Sequence, residues 1–463
     1  MSRPLLSTIL PAGSRSTKTK STMTRRELLA LTGGALATAA FGRASETGPS
    51  TPADITLKIS ELTVEIGPGR TVNTIAYNGQ IPGPLLRMPE GKSIAVDVVN
   101  DTKTPEMVHW HGLHIPPEVD GAHEEGTPMV QGIDSRRFTF TPNPAGTRWY
   151  HAHAMAGHLL NRGTYTGQFG MLIVDPKENP ARYDQEVPII LHEWDPFFSS
   201  DMMMDVDYQS CTINGKMLGA GEPIRVKSSQ RVLFRILNAS ATTNHRIALP
   251  GHRFEVVAMD GNAVATPVKV PVLELAPGER IDAIVEMTSP GVWIFGEEDD
   301  KQRKSGAGIV IEYAGAKGPA QWVKPPKFVW DYTAFGGKGG SPEPALKVPL
   351  VFEPRYDGNL WAINGKSYPK TDPFYVLPGV RNRLVFDNRC DMSHPVHLHR
   401  HTFEITNYAG KATTGVFKDV VMVPKRSIVE VDLMATSPGP SLFHCHQQFH
   451  MDFGFMAVMQ YRV

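Results

Sequence analysis

Leu442-Phe443-His444-Cys445-His446-Gln447-Gln448-Phe449-His450-Met451-Asp452-Phe453-Gly454-Phe455 places one thiol and three imidazoles within seven residues. Along an extended chain side chains alternate, so Cys445 points one way while His444 and His446 point the other. One strand can then serve two metal sites. A Cys thiolate with His450 as a second ligand suits an electron-transfer copper, whereas paired imidazoles suit copper that handles dioxygen. The same residues also fit a single zinc site or a few solvent-facing histidines. The rest of the chain has to separate these readings.

Working outward, the landmarks around this stretch recur at a period of roughly 140 residues. Tyr77-Asn78-Gly79, Ile213-Asn214-Gly215-Lys216 and Ile363-Asn364-Gly365-Lys366 are one motif seen three times. Each precedes a strand-like run ending in Asn: Val96 to Asn100, Val232 to Asn238 and Leu384 to Asn388. A Pro/Gly turn then leads into Trp149-Tyr150-His151, Trp293-Ile294-Phe295-Gly296 and Leu442-Phe443-His444. Apolar/polar alternation, as in Ile55 to Ile59 and Leu62 to Ile66, together with 42 Gly and 38 Pro, predicts an all-β chain. Three consecutive Greek-key β-sandwich domains are expected at 52–178, 183–315 and 345–463, joined by polar, Pro- and Gly-containing linkers. Alignment on Gly146, Gly291 and Gly439 superposes His151, Gly296 and His444, so the middle copy has lost its metal ligand.

The 17 histidines are not scattered. Random placement gives roughly one His-x-His pair, yet five occur: His109/His111, His151/His153, His397/His399, His399/His401 and His444/His446. In a strand each pair puts both imidazoles on one face, as shared metal ligation requires. His109-Trp110-His111-Gly112, Trp149-Tyr150-His151-Ala152-His153, His394-Pro395-Val396-His397-Leu398-His399 and His444-Cys445-His446 with His450 resemble the four copper motifs of the three-domain multicopper oxidases, the laccase-like enzymes. The resemblance spans the mature chain and implies cupredoxin-like domains carrying four copper ions. It assigns Cys445, His394 and His450 to a type 1 copper, and His109 and His397 to a type 2 copper. His111, His151, His153, His399, His444 and His446 go to a type 3 pair. The trinuclear cluster then draws four histidines from each of the outer domains and must lie between them. Of the remaining histidines, His114, His123, His158, His192, His245 and His252 read as ordinary surface or hydrogen-bonded residues; His401 continues the 397/399 alternation and is the one to watch.

The implied reaction takes one electron at a time from a small-molecule or metal-ion reductant and passes it through Cys445 to His444 and His446. Four transfers reduce O2 to two waters. At about 3.4 Å per residue, the sites lie on the order of a dozen Å apart. Asp120-Gly121 resembles the family's acid beside the type 2 copper, and it also reads as a turn aspartate. Many bacterial members carry Glu where this chain has Met451. The axial type 1 position falls on Phe455, which cannot coordinate and is expected to raise the potential; a shift of one residue gives Met456 instead. The reductant is expected at the exposed edge of a type 1 histidine, His394 or His450, beside domain 2, where Asp207 stands near the place of a laccase carboxylate. Met202, Met203 and Met204 are soft Cu(I) ligands in a short loop, not the long Met-rich insert of cuprous oxidases. Phenols or aromatic amines are the expected substrates, with Cu(I) or Fe(II) as the alternative and a non-catalytic structural role as an alternative of another class.

Lys plus Arg and Asp plus Glu both number 47, so the charge balances and nucleic acid is not an expected partner. Residues 1–45, with Arg25-Arg26 before a weakly apolar run broken by Gly33-Gly34, look like a twin-arginine export signal too short to span a bilayer. A periplasmic or secreted bacterial protein, monomeric or a small oligomer, is expected. Of three cysteines, Cys445 is reserved for metal, and Cys211 and Cys390 are expected to bridge domains 2 and 3 or to stay as separate buried thiols.

Overall fold

Asn-Gly at 78–79, 214–215 and 364–365 is the residue pair that a tight hairpin with two positive φ angles demands. In the computed structural model all six residues have φ between 52° and 78°. The asparagine side chains also do one job three times. Asn78, Asn214 and Asn364 each accept from an amide and donate to a carbonyl of the first strand of their own copy. A second asparagine repeats as well. Asn100, Asn238 and Asn388, all buried, receive the amide two residues on and donate to Val130, Leu275 and Val423 respectively. They pin the loops that lead into the ligand-bearing strands.

The structure describes residues 51–178, 182–199, 205–355 and 360–462. The export signal and Met202, Met203 and Met204 lie outside them. The chain is all-β, and its sheets come in three consecutive pairs, spanning Ile55–Asp175, Gln185–Tyr313 and Leu346–Tyr461. With the strands of each copy numbered from its own first, the second and third copies share one order, 2-1-4-9-6-7 in one sheet and 3-11-10-5-8 in the other. The first copy has 2-1-4-9 and 3-11-10-5; strands 6 to 8 are absent. In their place stand the short helices Pro117–Asp120 and His123–Glu125.

Outer strands such as Ile94–Asn100 and Arg381–Asn388 bury alternate residues, as sheets with one wet face must. Ser441–Cys445 and His394–Leu398 are instead buried on both faces. The ligand strands are therefore shielded from water on either side. Among the described residues no helix is long and apolar enough to cross a membrane.

Candidate metal centre

Strand pairing performs the first step of assembly. His109 pairs with His151 in the first copy and His397 with His444 in the third. The two outer copies then meet ring to ring: His109 stacks on His399 at 3.9 Å and His111 on His397 at 3.8 Å. Donor atoms collect into His111/His151/His446 and His153/His399/His444, while His109 and His397 form a third group with His111. Within each group they lie within 4.8 Å of one another. All eight imidazoles are buried.

Which nitrogen faces inward is decided by what holds the other one. Nδ1–H donates to a backbone carbonyl in His109 (Asp120 O, 2.9 Å), His151 (Ala152 O, 2.8 Å), His397 (Asp419 O, 2.8 Å) and His444 (Cys445 O, 2.8 Å). His399 gives its Nδ1–H to the Asp120 carboxylate at 2.9 Å. Nε2 is thereby left for the centre. His111 is reversed: its Nε2 lies 3.0 Å from Asp419 Oδ1, and Nδ1 faces inward.

The second cluster is His394, Cys445 and His450. Cys445 Sγ is 3.4 Å from His450 Nδ1 and 3.7 Å from His394 Nδ1, on the opposite side of the strand from His444. The phenyl ring of Phe455 lies 4.8 Å from the His394 ring, whereas Met456 packs away from it with Ala122, Leu442 and Met451. The strand alternation thus settles which of the two neighbours faces the cluster.

Burial, reinforced by neighbouring rings, holds His111, His151, His153, His399, His444, His446 and His450 well below the usual imidazole value; burial does the same for His397, and lowers His394 to about 3. Neutral rings keep the lone pair that ligation needs. Burial pushes the Cys445 thiol up, a cost that a bound cation would offset. The fit to metal is also visible in atoms without partners. His109, His151 and His397 Nε2, His111 Nδ1 and both nitrogens of His446 are buried and bonded to nothing in the protein. Buried polar atoms are normally satisfied, so so many together mark where ions bind.

Three readings of the sequence are decided by the packing. Cys211 and Cys390 form no disulfide: each is free and buried, Cys211 receiving Ser305 Oγ at 3.4 Å within the middle copy and Cys390 tucked behind Asn388 in the third. His401 does not extend the ligand row, because Arg400 adopts φ 62° and turns the chain; His401 bonds His399 O and the Tyr461 hydroxyl instead. His394 and His450 offer no exposed edge, being 0% and 2% accessible, with the Trp361 ring 4.0 Å from His450. Asp207 is exposed, paired across the sheet with Phe197.

Asp120 sits at the end of its short helix with its carboxylate 2.9 Å from His399 and 3.2 Å from His109. Glu125, which no motif marks, is its neighbour: Oε1 receives the Leu442 amide at 2.6 Å and lies 3.4 Å from His399 Nδ1. Asp419 and Arg280 are equally silent in the sequence. In the middle copy, register equates Ile247/Glu297 with Val396/Cys445, so His245 stands where His394 does and Glu297 where Cys445 does. There the imidazole is clasped by Glu193 at 2.6 Å and Glu297 at 2.9 Å, a buried ionic triad in place of a metal.

Profiles of the multicopper oxidase family match residues 58–179, 191–316 and 343–463. The chain is 30% identical to the multicopper oxidase MmcO of Mycobacterium tuberculosis over 93% of its own length and 91% of that protein's. It is 25% identical to Laccase-3 of Thanatephorus cucumeris, covering 82% of this chain and 86% of the other. Among solved structures, a multi-copper oxidase of Pseudomonas thermotolerans superposes with TM-score 0.71 at 23% identity (89% and 100% coverage), and Fet3p, a multicopper oxidase that functions in iron import, with TM-score 0.76 at 18% identity (88% and 90%). Sequence kinship along nearly the whole chain and two dry histidine clusters bridged by Cys445 agree, and the chain belongs to the multicopper oxidase family, copper-dependent oxidoreductases that use dioxygen.

Proposed function

We propose a laccase-type oxidase that removes single electrons from phenolic or aromatic reductants and reduces O2 to water with four copper ions. Residues 52–178 and 345–463 carry the ligands and 183–315 carries none. His394, Cys445 and His450 would hold the type 1 ion, and His109 and His397 the type 2 ion. His111, His151 and His446 would hold one type 3 ion, and His153, His399 and His444 the other. The observation that carries this reading is the buried donor set itself, gathered into groups whose atoms lie within 4.8 Å of one another, with the facing nitrogens of His109, His111, His151, His397 and His446 bonded to nothing in the protein. Bound there, copper supplies one-electron storage and dioxygen chemistry.

The chain's own residues do the rest. Cys445 is peptide-bonded to both His444 and His446, which gives the two clusters a covalent connection. Asp120 and Glu125 place two carboxyl groups behind His399, where a proton can be held next to the dioxygen site. Exclusion of water by the doubly buried strands protects reactive intermediates from side reactions.

An aromatic surface beside the type 1 residues favours an aromatic reductant. Phe449, next to His450 in sequence, packs 5.7 Å from Phe198, and exposed His158 lies 4.7 Å from the half-buried Phe453. Met155, Leu159 and Phe197 are exposed large apolar residues, and a groove of about 450 Å³ runs past His158, Leu159 and Pro196. Oxygen uptake by copper-loaded protein with phenols, Cu(I) and Fe(II) tests the reading. Uptake with phenols alone supports it; uptake with the metal ions alone replaces it with a metallo-oxidase, and no uptake leaves a structural protein. The Arg25-Arg26 segment supports twin-arginine export to the periplasm.

A further inference from the structure

The middle copy supplies no ligand, yet its turn Ala276-Pro277-Gly278-Glu279-Arg280 reaches both outer copies at the histidine centre. Gly278, at φ 84°, lies so close to His446 that a Cβ there would sit 2.7 Å from the ring. Two residues on, Arg280 donates from its two Nη atoms to the two carboxylate oxygens of Asp419, each at 2.6 Å. Both side chains are fully buried. Asp419 in turn serves two ligand histidines, one from each outer copy. Its Oδ1 receives His111 Nε2 at 3.0 Å and its carbonyl receives His397 Nδ1 at 2.8 Å.

Removing a guanidinium and a carboxylate from water is costly, and an ion pair so buried is a weak source of net stability. What a bidentate pair does provide is a fixed direction. His111 is the ring held through Nε2 by a side-chain carboxylate, and its Nδ1 faces the centre. A carboxylate free to rotate would let that ring turn. Arg280 is itself fixed: its amide donates to Asp260 Oδ1 at 2.9 Å, and Asp260 Oδ2 receives the amides of Asp419 and Val420. Gly112, next to His111, leaves no room for error, since a Cβ there would lie 2.7 Å from Arg280 Nη2 and 2.8 Å from Asp419 Oδ2.

We propose that Arg280 of the middle copy is a positioning residue of the trinuclear copper centre: it holds Asp419 so that its carboxylate fixes the His111 ring, while Gly278 seats His446. The proposal rests on reading these histidines as copper ligands.

The test compares copper-loaded wild type with Arg280→Met, Arg280→Lys, Gly278→Ala and Arg235→Met by copper content, paramagnetic resonance and blue absorbance. Arg235→Met is the control, because it breaks a comparable set of contacts, with Asp282 and Glu186 in the middle copy and Thr147 in the first, without touching Asp419. Loss of an outer contact of a metal ligand typically weakens metal binding by roughly 10–100-fold. Arg280→Met is expected to lose trinuclear copper on that scale and keep its blue colour. Arg280→Lys, with one point charge for two oxygens, should fall between. Gly278→Ala should change the resonance spectrum with the ion pairs intact, and it serves as the readout where Arg280→Met does not fold. Wild-type copper content and spectra in Arg280→Met, or in Gly278→Ala, overturn the proposal. So does equal copper loss in Arg235→Met, which would reduce the effect to loosened packing. A wild type that takes up no copper overturns the ligand reading as well.

Discussion

The Asp120 carboxylate accepts a 2.9 Å hydrogen bond from Nδ1 of His399, whose Nε2 is 3.1 Å from that of His444. One imidazole ring thus separates this carboxylate from the histidine centre, and the other carboxylate oxygen is buried without a partner. Asp120→Asn retains the shape and removes the acid. Oxygen consumption is expected to fall by roughly two orders of magnitude, the lower end for general acid catalysis, with blue absorbance unchanged. Unchanged turnover at an oxygen electrode would remove Asp120 from the mechanism, and the same assay on Glu125→Gln separates the two acids.

Phe455 occupies the face toward His394 and Met456 the opposite face. Phe455→Met puts a thioether where a weak axial ligand sits and should lower the type 1 potential in a redox titration. Met456→Leu, the matched change on the far face, should leave it where it was.

Cys445 is the sulfur donor of its cluster, with Sγ 3.4 Å from His450 Nδ1. Cys445→Ser should abolish the blue absorbance and cost one copper per chain. The histidine groups on the other side of the strand do not use this side chain, so their paramagnetic signature should survive.

In the middle copy, burial opposes the His245 imidazolium but Glu193 and Glu297 outweigh it, raising the ring to about 10. The folded value therefore exceeds the unfolded one near 6.5, so this contribution is complete below about pH 6.5 and is lost as pH rises through about 10. Glu193 is shifted the other way, down, because His245 outweighs its burial, so its share is lost on acidification. Glu297→Gln leaves the cation half-paired and should cost about 3–5 kcal/mol in denaturant unfolding at neutral pH. It should also flatten the alkaline limb of the stability profile.

Much of the site was legible because the relevant spacings are local. A strand puts residues i and i+2 on one face, so His109/His111, His151/His153, His397/His399 and His444/His446 could be paired from the chain alone, and Cys445 assigned to the other side. The same rule failed at His401, where the strand ends at Leu398 and Arg400 turns with φ 62°. It was mute about Glu125, Asp419 and Arg280, which lie in no motif and reach their histidines from far along the chain. Nor could spacing choose between a Cys211–Cys390 bridge and two separate buried thiols; the second holds, because each lies within the packing of its own copy.

By itself the sequence determined the all-β character, the threefold repeat and which histidines and cysteine gather into the clusters, since alternation, Asn-Gly turns and His-x-His spacing are written in consecutive residues. Only the tertiary structure decided which nitrogen each ring turns inward, that His394 and His450 are buried beside Trp361, and that the middle copy, which adds no residue to these clusters, reaches the histidine centre through the Arg280–Asp419 pair. The contacts of His399 with Asp120, of His111 with Asp419 and of Arg280 with Asp419 join residues more than a hundred positions apart, where no local periodicity carries a signal; the shorter-range ones, such as His151 to the Ala152 carbonyl, depend on ring rotations that residue spacing does not specify.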